Sequence, residues 1–225
     1  MFKKSLTKML VCDMAGTIIQ ENGIVYKTLF DSIKKFKPDL KMSQIEDFHG
    51  YKKTEVIKHF LYTESGYNDP SLLRKTIRLF NTNLKYNYLN NYSDIKLIDP
   101  NLFKYFNELR KDNIKIALNT GYSKEIQDIL IYKLNLKYCI DDYISSSEVN
   151  MGRPAPHMIY DLMDRNNIIR PEQVIKIGDT RVDILEGKNA GCKTVGVLSG
   201  ADSKDDLEKE NPDFIVNNIV DIKFD

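Results

Sequence analysis

Met9-Leu10-Val11-Cys12-Asp13-Met14-Ala15-Gly16-Thr17 is the stretch that decides the fold of this chain. Its four leading apolar residues predict a short buried strand, and Asp13 follows where that strand ends. The Gly16-Thr17 pair then indicates a turn. In open α/β sheets, ligands bind outside the carboxyl ends of the strands. We therefore expect the Asp13 carboxylate at the mouth of a binding crevice.

Further β-type runs occur later in the chain and alternate with helical stretches. They lie at residues 114–118, 174–177 and 194–198, with a weaker run at 214–216. This alternation predicts a parallel sheet with helices on both faces. Residues 1–19 and 94–225 are therefore expected to form a Rossmann-like α/β core domain.

Residues 20–93 lack strong strand signals and instead carry three apolar stripes at helical spacing. The stripes are Leu29, Ile33 and Phe36; Val56, Ile57, Phe60 and Leu61; and Leu73, Ile77, Phe80 and Leu84. We interpret this segment as a helical cap domain inserted between the first two strands of the core. The links near residues 18–23 and 90–100 are expected hinges, and the position directly after the Asp13 strand suits a lid.

Size and composition restrict the function further. The chain has 225 residues, 42% of them hydrophobic, which allows a large core with a small accessory unit. A net charge of +1 gives no overall field that would attract nucleic acid or an anionic membrane. The three widely spaced cysteines indicate reduced thiols, and the apolar run before Asp13 is too short for a signal peptide or membrane span. We expect a cytoplasmic protein without nucleic-acid or membrane partners.

Residues 177–183, Ile-Gly-Asp-Thr-Arg-Val-Asp, also follow a β-type run and begin a predicted helix. Asp179 and Asp183 are four residues apart and would lie near one helix face. Beside Asp13, these acids are costly unless a cation lies among them, and oxygen-only ligands suit Mg²⁺. The structural alternative is that Asp179 is a helix N-cap and Asp183 a favourable first-turn acid.

Two other segments could bind an anion. Residues 118–123, Leu-Asn-Thr-Gly-Tyr-Ser, place the Thr120 hydroxyl and free backbone amides between a strand end and a helix start, although such residues are also ordinary N-caps. Residues 152–156, Gly-Arg-Pro-Ala-Pro, form a stiff loop that would fix the Arg153 guanidinium. Arg153 could balance the carboxylates and bind phosphoryl oxygens, or be an exposed turn residue.

These four segments, in this order, resemble the four motifs of the haloacid dehalogenase (HAD) superfamily. The likeness is closer to the phosphonoacetaldehyde hydrolase (phosphonatase) and phosphonatase-like families at three points. Ala15 stands where most HAD phosphatases carry a second aspartate, and Arg153 stands where they carry lysine. Gly50-Tyr51-Lys52-Lys53 resembles the cap loop that holds the Schiff-base lysine of these families, with the match on Lys53.

The resemblance implies a role for each matched position. Asp13 would be the nucleophile, Lys53 the imine-forming amine, Thr120 the group that orients the phosphoryl and Arg153 the group that neutralises its charge. The implied Mg²⁺ ligands are Asp13, the backbone carbonyl of Ala15, Asp179 and Asp183. The expected substrate-binding residues are Gly16, Thr17, His49, Gly121 and Tyr122.

The chemistry agrees with the replacement at Ala15. A phosphate ester leaves as an alkoxide that the second aspartate protonates, whereas a phosphonate leaves as carbon and needs an electron sink. An imine between lysine and an adjacent aldehyde supplies that sink. Two positions that assist this chemistry in the family differ here: His49 replaces a methionine and Val56 replaces a histidine. His49 is a candidate for the lost base.

We therefore expect Mg²⁺-dependent hydrolysis of a small phosphorylated compound, with C–P cleavage of a 2-oxoalkyl phosphonate as the leading reaction. The alternative is a phosphate monoester phosphatase that uses water or His49 as the acid. A third interpretation is a non-catalytic protein that binds a phosphometabolite or a partner. A homodimer is a candidate assembly.

Overall fold

The structure is a computed structural model that describes residues 2–63, 69–90 and 95–225. Its strands are β1 (Met9–Cys12), β2 (Ile19–Gln20), β3 (Lys96–Leu97), β4 (Lys115–Thr120), β5 (Asp142–Ser145), β6 (Val174–Gly178), β7 (Lys193–Val197) and β8 (Phe214–Val216). Six of them form one parallel sheet in the order β5-β4-β1-β6-β7-β8. The predicted Rossmann-like parallel sheet is confirmed.

The sheet register brings the predicted motifs to one edge. In the central strand, Cys12 pairs with Leu118 of β4 on one side and with Ile177 of β6 on the other. The polar residues that follow these positions therefore leave the sheet side by side. The Asp13 amide continues the ladder by donating to the Ile177 carbonyl at 2.9 Å.

The helices are α1 (Ile24–Lys34), α2 (Met42–Glu46), α3 (Lys53–Lys58), α4 (Pro70–Asn90), α5 (Leu102–Lys111), α6 (Lys124–Lys133), α7 (His157–Arg165), α8 (Arg181–Asn189) and α9 (Lys204–Lys209). Side chains of β1 alternate between the two sheet faces. Leu10 and Cys12 belong to one apolar cluster, whereas Met9 and Val11 belong to a second cluster with residues of α7. Both faces of the sheet are therefore covered.

The described elements between β2 and β3 are helical, as the apolar stripes predict. The stripes fall on α1 and the residues just after it, on α3 with the π-helical turn His59–Thr63, and on α4. The two links that connect the insert to the sheet differ from the prediction. Hinges are expected there, but β2 and β3 form an antiparallel pair. The predicted boundary at residues 93 and 94, and part of the predicted link at 90–100, lie outside the described residues. The division into core and cap domains stays a prediction.

Strand β5 has no counterpart in the sequence prediction. Its residues read Asp-Tyr-Ile-Ser, so the apolar run is too short to stand out, and pairing with β4 is what makes it a strand. Within the described part of the chain, none of the helices combines the length and apolar character needed to cross a bilayer.

Candidate active site

A cavity of about 700 Å³ opens where β1, β4 and β6 end. Asp13, Thr120 and Asp179 line it from the sheet, as the residues directly after or at the ends of these strands. Arg153 lines it from the loop before α7, and Lys53 lines it from the first turn of α3. The fold thus brings all four predicted catalytic residues to one cavity, although their roles stay predictions.

Arg153 joins two of the predicted acids. Its Nη2 lies 2.7 Å from Asp13 Oδ1, and its Nη1 forms an ion pair with Asp183 Oδ1. The Arg153 side chain is buried, and its Nε has no hydrogen-bond partner among the described residues. Because a buried unpartnered donor is costly, this nitrogen is a suitable contact for an oxygen of a bound anion.

Asp13, Asp179 and Asp183 form a buried acidic cluster whose carboxylate oxygens lie within 4.8 Å of one another. Burial and the charges of Asp13 and Asp183 hold the pKa of Asp179 well above its usual range. Asp179 is fixed by hydrogen bonds from the Thr17 hydroxyl at 3.1 Å and from the Ala201 amide at 2.8 Å. An all-oxygen donor set of this kind fits a hard divalent cation such as Mg²⁺.

Asp183 has both a structural and an electrostatic part in the site. Helix α8 begins at Arg181 with Thr180 as its N-cap, so the alternative in which Asp179 caps the helix is wrong. Asp183 accepts from the Thr180 hydroxyl at 2.5 Å and from its amide at 3.2 Å, which completes a capping box. Burial opposes ionisation of Asp183, but the charges of Arg153 and Lys176 lower its pKa to about 2.

Lys53 is buried, and its amine faces the same cavity. Its Nζ donates to the Tyr51 carbonyl at 2.9 Å and lies 4.8 Å from the centre of the Tyr26 ring. Burial and the nearby Arg153 charge lower the pKa of Lys53 to about 8, against the opposing charge of Asp13. A substantial fraction of this amine is therefore neutral near physiological pH.

The loop that carries Lys53 is packed tightly against the core. Gly50 has a φ of 79°, and a Cβ at this position would collide with the Thr180 side chain. A Cβ at Gly152 would meet the Lys52 Cβ at 3.3 Å. The loop that carries Lys53 therefore lies directly against the core loops that contain Thr180 and Gly152.

Four of the five predicted substrate-binding residues line the cavity: Gly16, His49, Gly121 and Tyr122. Thr17 is fully buried, and its hydroxyl donates to Asp179 instead, so its observed contact is with the acidic cluster. His49 Nδ1 lies 3.8 Å from Asp202 Oδ1. Ala15, the predicted carbonyl ligand, also lines the cavity. Substrate contacts of these residues stay predictions.

Sequence reasoning missed a group of polar residues where the helical insert borders the cavity. Glu21 is buried, and its Oε2 accepts from the Tyr122 hydroxyl at 2.8 Å and from the Tyr88 hydroxyl. The two hydroxyls are themselves 2.8 Å apart. The partners are distant in the chain, so no local pattern could have revealed this group.

A second missed group lies beneath the acidic cluster. Lys176 is fully buried in β6, with its Nζ 2.9 Å from Asp183 Oδ1 and 3.3 Å from Glu186 Oε2. It donates to Asn119 Oδ1 at 2.8 Å, and the Asn119 amide donates to Glu186 at 2.9 Å. The sequence held one sign of this network: Lys176 interrupts the apolar run 174–177, and a lysine inside a buried strand needs charged partners.

Comparison with known proteins identifies relatives of this chain. Residues 10–197 match the family model described as haloacid dehalogenase-like hydrolase. The phosphonoacetaldehyde hydrolase of Latilactobacillus sakei is 29% identical over 205 residues, which cover 85% of this chain and 76% of the relative. That of Parabacteroides distasonis is 38% identical over 112 residues, covering 49% of this chain but only 42% of the relative.

Solved structures agree in fold. A phosphonoacetaldehyde hydrolase-like protein from Oleispira antarctica gives a TM-score of 0.82 at 20% identity, covering 99% of this chain and 92% of its own. A protein from Haemophilus somnus, described as a predicted phosphoglycolate phosphatase, gives a TM-score of 0.77 at 18% identity, with 96% of each chain covered. At these identities the similarity concerns the fold alone.

Proposed function

Because the chain belongs to the haloacid dehalogenase-like hydrolase family, and is therefore a hydrolase, we propose that it cleaves the C–P bond of a small 2-oxoalkyl phosphonate such as phosphonoacetaldehyde. The observation that carries this proposal is the position of Lys53. Its amine is buried in the cavity that Asp13 also lines, and its pKa is lowered to about 8. An amine that is partly neutral beside an anion site is what imine formation with a phosphonoaldehyde requires.

The phosphoryl end of the cavity suits a nucleophilic displacement. Asp13 Oδ1 is held by Arg153, which leaves one guanidinium nitrogen for a phosphoryl oxygen. Thr120 also lines the cavity, as the last residue of β4, and can orient the phosphoryl group. Mg²⁺ bound by Asp13, Asp179, Asp183 and the Ala15 carbonyl would neutralise the phosphoryl charge.

The proposed reaction uses the two ends of the cavity together. The neutral Lys53 amine adds to the aldehyde carbon, and uptake of one proton with loss of water gives a protonated imine. An Asp13 oxygen then bonds to phosphorus while the C–P electron pair moves into the imine system, which leaves an enamine on Lys53. Water hydrolyses the phospho-aspartate to phosphate. Protonation of the enamine carbon and hydrolysis of the imine release acetaldehyde and restore Lys53.

This route explains why Ala15 is sufficient at its position. The carbon leaving group is stabilised by delocalisation onto nitrogen, so no second acid next to Asp13 is needed to protonate an alkoxide. The relatives named phosphonoacetaldehyde hydrolase support the same substrate class.

The decisive experiment compares Lys53→Arg with Lys52→Arg. Arginine keeps the charge at position 53 but cannot form an imine, so phosphate release from phosphonoacetaldehyde should be abolished, whereas Lys52→Arg should keep most activity. Borohydride reduction in the presence of phosphonoacetaldehyde should add mass to a peptide containing Lys53. Asp13→Asn should release no phosphate but still form the adduct. Normal phosphonate cleavage by Lys53→Arg would refute the proposal.

A phosphate monoester phosphatase is the second candidate, and the placement of His49 favours it. His49 lines the cavity and has Asp202 near its Nδ1, so its imidazole could protonate an alkoxide leaving group. In that case sugar or glycolate phosphates would turn over well, Lys53→Arg would have a small effect, and His49→Gln would reduce the rate strongly.

A further inference from the structure

Besides Asp13 and Asp179, the cavity contains a buried carboxylate that the reaction described above does not use. Glu21 lines the cavity after β2, on the side of the helical insert. Its side chain is buried, with Oε2 in contact with the hydroxyls of Tyr88 and Tyr122. Tyr88 lies on α4 and Tyr122 follows β4, so three separate parts of the chain meet at one carboxylate oxygen.

The titratable groups that interact with Glu21 are three phenols and the Lys53 amine. Burial holds the pKa of Tyr26, Tyr88 and Tyr122 well above the usual value, so these phenols stay protonated. Burial also raises the pKa of Glu21, while the tyrosine hydrogen bonds and the Lys53 charge act in the opposite direction. The positive charge of Lys53 interacts electrostatically with Glu21, and each group stabilises the charged form of the other.

We propose that Glu21 exchanges protons with Lys53 and its adduct during imine formation, which makes it a catalytic residue. The inference rests on the proposed function, because it assigns a step of the Lys53 chemistry. The geometry that carries it is a buried carboxylate and a buried amine lining the same cavity, with the carboxylate held by neutral hydroxyl donors.

Glu21 and Lys53 together supply every proton that imine formation needs. No hydrogen bond or ion pair joins Lys53 directly to Glu21, both of which the structure describes, so a water in the cavity relays the proton from the Lys53 ammonium to the Glu21 carboxylate, which leaves a neutral amine and a carboxylic acid. The amine bonds to the aldehyde carbon, and transfer of an amine proton to the carbonyl oxygen gives a neutral carbinolamine. The C–O bond then breaks as Glu21 returns its proton to the leaving hydroxyl. The products are water, a cationic imine and an anionic Glu21 beside it.

The other acids that line the cavity are less suited to this task. Asp13 and Asp179 belong to the acidic cluster at the phosphoryl end, where Asp13 is paired with Arg153. Asp31 and Glu46 lie at the exposed mouth. Among the cavity-lining residues that the structure describes, Glu21 is thus the buried carboxylate that belongs to neither the acidic cluster nor the Arg153 ion pairs.

The experiment isolates imine formation from phosphoryl transfer. Acetaldehyde, which lacks a phosphoryl group, is the probe, and the rate of the borohydride-trapped adduct on Lys53 is measured by mass spectrometry. Glu21→Gln removes the proton carrier with little change of shape and should slow adduct formation by about 100-fold. In Glu21→Ala, added formate should restore much of the rate, because a free carboxylate can replace the missing one.

Tyr88→Phe is an independent test that keeps the carboxylate. Tyr88 is buried behind Glu21, and loss of its hydroxyl removes a donor to the charged form. The pKa of Glu21 should rise, so the low-pH limb of adduct formation, where the Glu21 carboxylate becomes protonated and can no longer accept a proton, should move to higher pH. If Glu21→Gln does not fold, the pH profile of Tyr88→Phe still tests the role of Glu21.

Each unfavourable result has a separate meaning. A folded Glu21→Gln variant with the wild-type rate, Glu21→Ala without formate rescue, or an unshifted Tyr88→Phe profile would overturn the role of Glu21 while Lys53 chemistry stands. Absence of any adduct in the wild-type protein would overturn both this role and the proposed function.

Discussion

The Nη2 atom of Arg153 lies 2.7 Å from Oδ1 of Asp13, and the same guanidinium forms an ion pair with Asp183. One planar side chain therefore sets the distance between the proposed nucleophile and an acid at the start of α8. Both acids are buried, so their charges would be costly without this partner. The relationship explains why an arginine, with its fork of donors, is useful at this position.

Arg153→Lys should lower activity even though it keeps the positive charge. A lysine amine cannot contact Asp13 and Asp183 with the same fork geometry, and loss of one charged hydrogen bond costs about 1.5–3 kcal/mol. We expect kcat/KM for phosphate release to fall by about 10- to 100-fold. Arg181→Lys is the matched control, since Arg181 pairs with Asp202 and is partly exposed, and it should be nearly silent. Equal effects of the two variants would contradict this account.

The acidic cluster predicts that Mg²⁺ stabilises the folded protein. A cation held by Asp13, Asp179 and Asp183 binds the native state and not the unfolded chain, so Mg²⁺ should raise the Tm. At a Mg²⁺ concentration of 100 times Kd, the gain in free energy of unfolding is about 2.7 kcal/mol. Asp179→Asn should abolish this Mg²⁺-dependent shift.

Asp206→Asn is a suitable control for the metal experiment because Asp206 is half-buried on α9 and is not part of the cluster. It should keep the full Mg²⁺ response. A Tm that rises equally with Mg²⁺ in both variants would place the binding elsewhere and remove the assignment of the cluster.

Much of the phosphoryl end could be predicted because its geometry follows from parallel strands. Apolar runs indicate where strands end, and the register of β1 with β4 and β6 brings those ends together. Asp13, Thr120 and Asp179 follow from that rule without knowledge of side-chain contacts. The Gly-Arg-Pro loop made Arg153 a candidate, but the sequence left open whether it binds an anion or is an exposed turn residue. Lys53 needed the family resemblance, since its loop has no local pattern that indicates a place at the cavity.

The polar group around Glu21 could not be predicted in the same way. Glu21 lies 67 residues from Tyr88 and 101 residues from Tyr122, so only the packing of the helical insert reveals their contact. Strand β5 was missed because its polar ends hide a single buried isoleucine, Ile144. Both features depend on tertiary neighbours rather than on local sequence.

Gly50→Ala should disturb the Lys53 loop more than a comparable substitution at Gly23. Both glycines have positive φ, 79° and 72°, so alanine costs about 1–2 kcal/mol at either position. At Gly50 the added methyl group would also collide with Thr180, whereas at Gly23 nothing lies within 4 Å. We expect an additional loss of about 1–3 kcal/mol for Gly50→Ala in urea unfolding.

The same pair tests whether the loop position matters for chemistry. Gly50→Ala should reduce the rate of the trapped Lys53 adduct, because a shifted loop moves the amine, while Gly23→Ala should keep the wild-type rate. If both variants lose the same stability and keep the same adduct rate, the close approach of Gly50 to Thr180 has no functional role.

Lys53 should make stability depend on pH in a defined direction. Its pKa is about 8 in the folded protein, against an ordinary value of 10.5, so between these pH values the unfolded chain binds more protons. Stability from this group therefore rises with pH through that window, and the full cost of burying the ammonium is present below about pH 8.

Lys53→Met removes that cost, so its advantage over wild type should shrink by about 3 kcal/mol between pH 7 and pH 10.5. Urea unfolding at both pH values measures the change, and Lys52→Met, which removes a lysine that does not line the cavity, should not reproduce it. A pH-independent difference between Lys53→Met and wild type would mean that the amine is fully charged at neutral pH, and the basis for its imine chemistry would be lost.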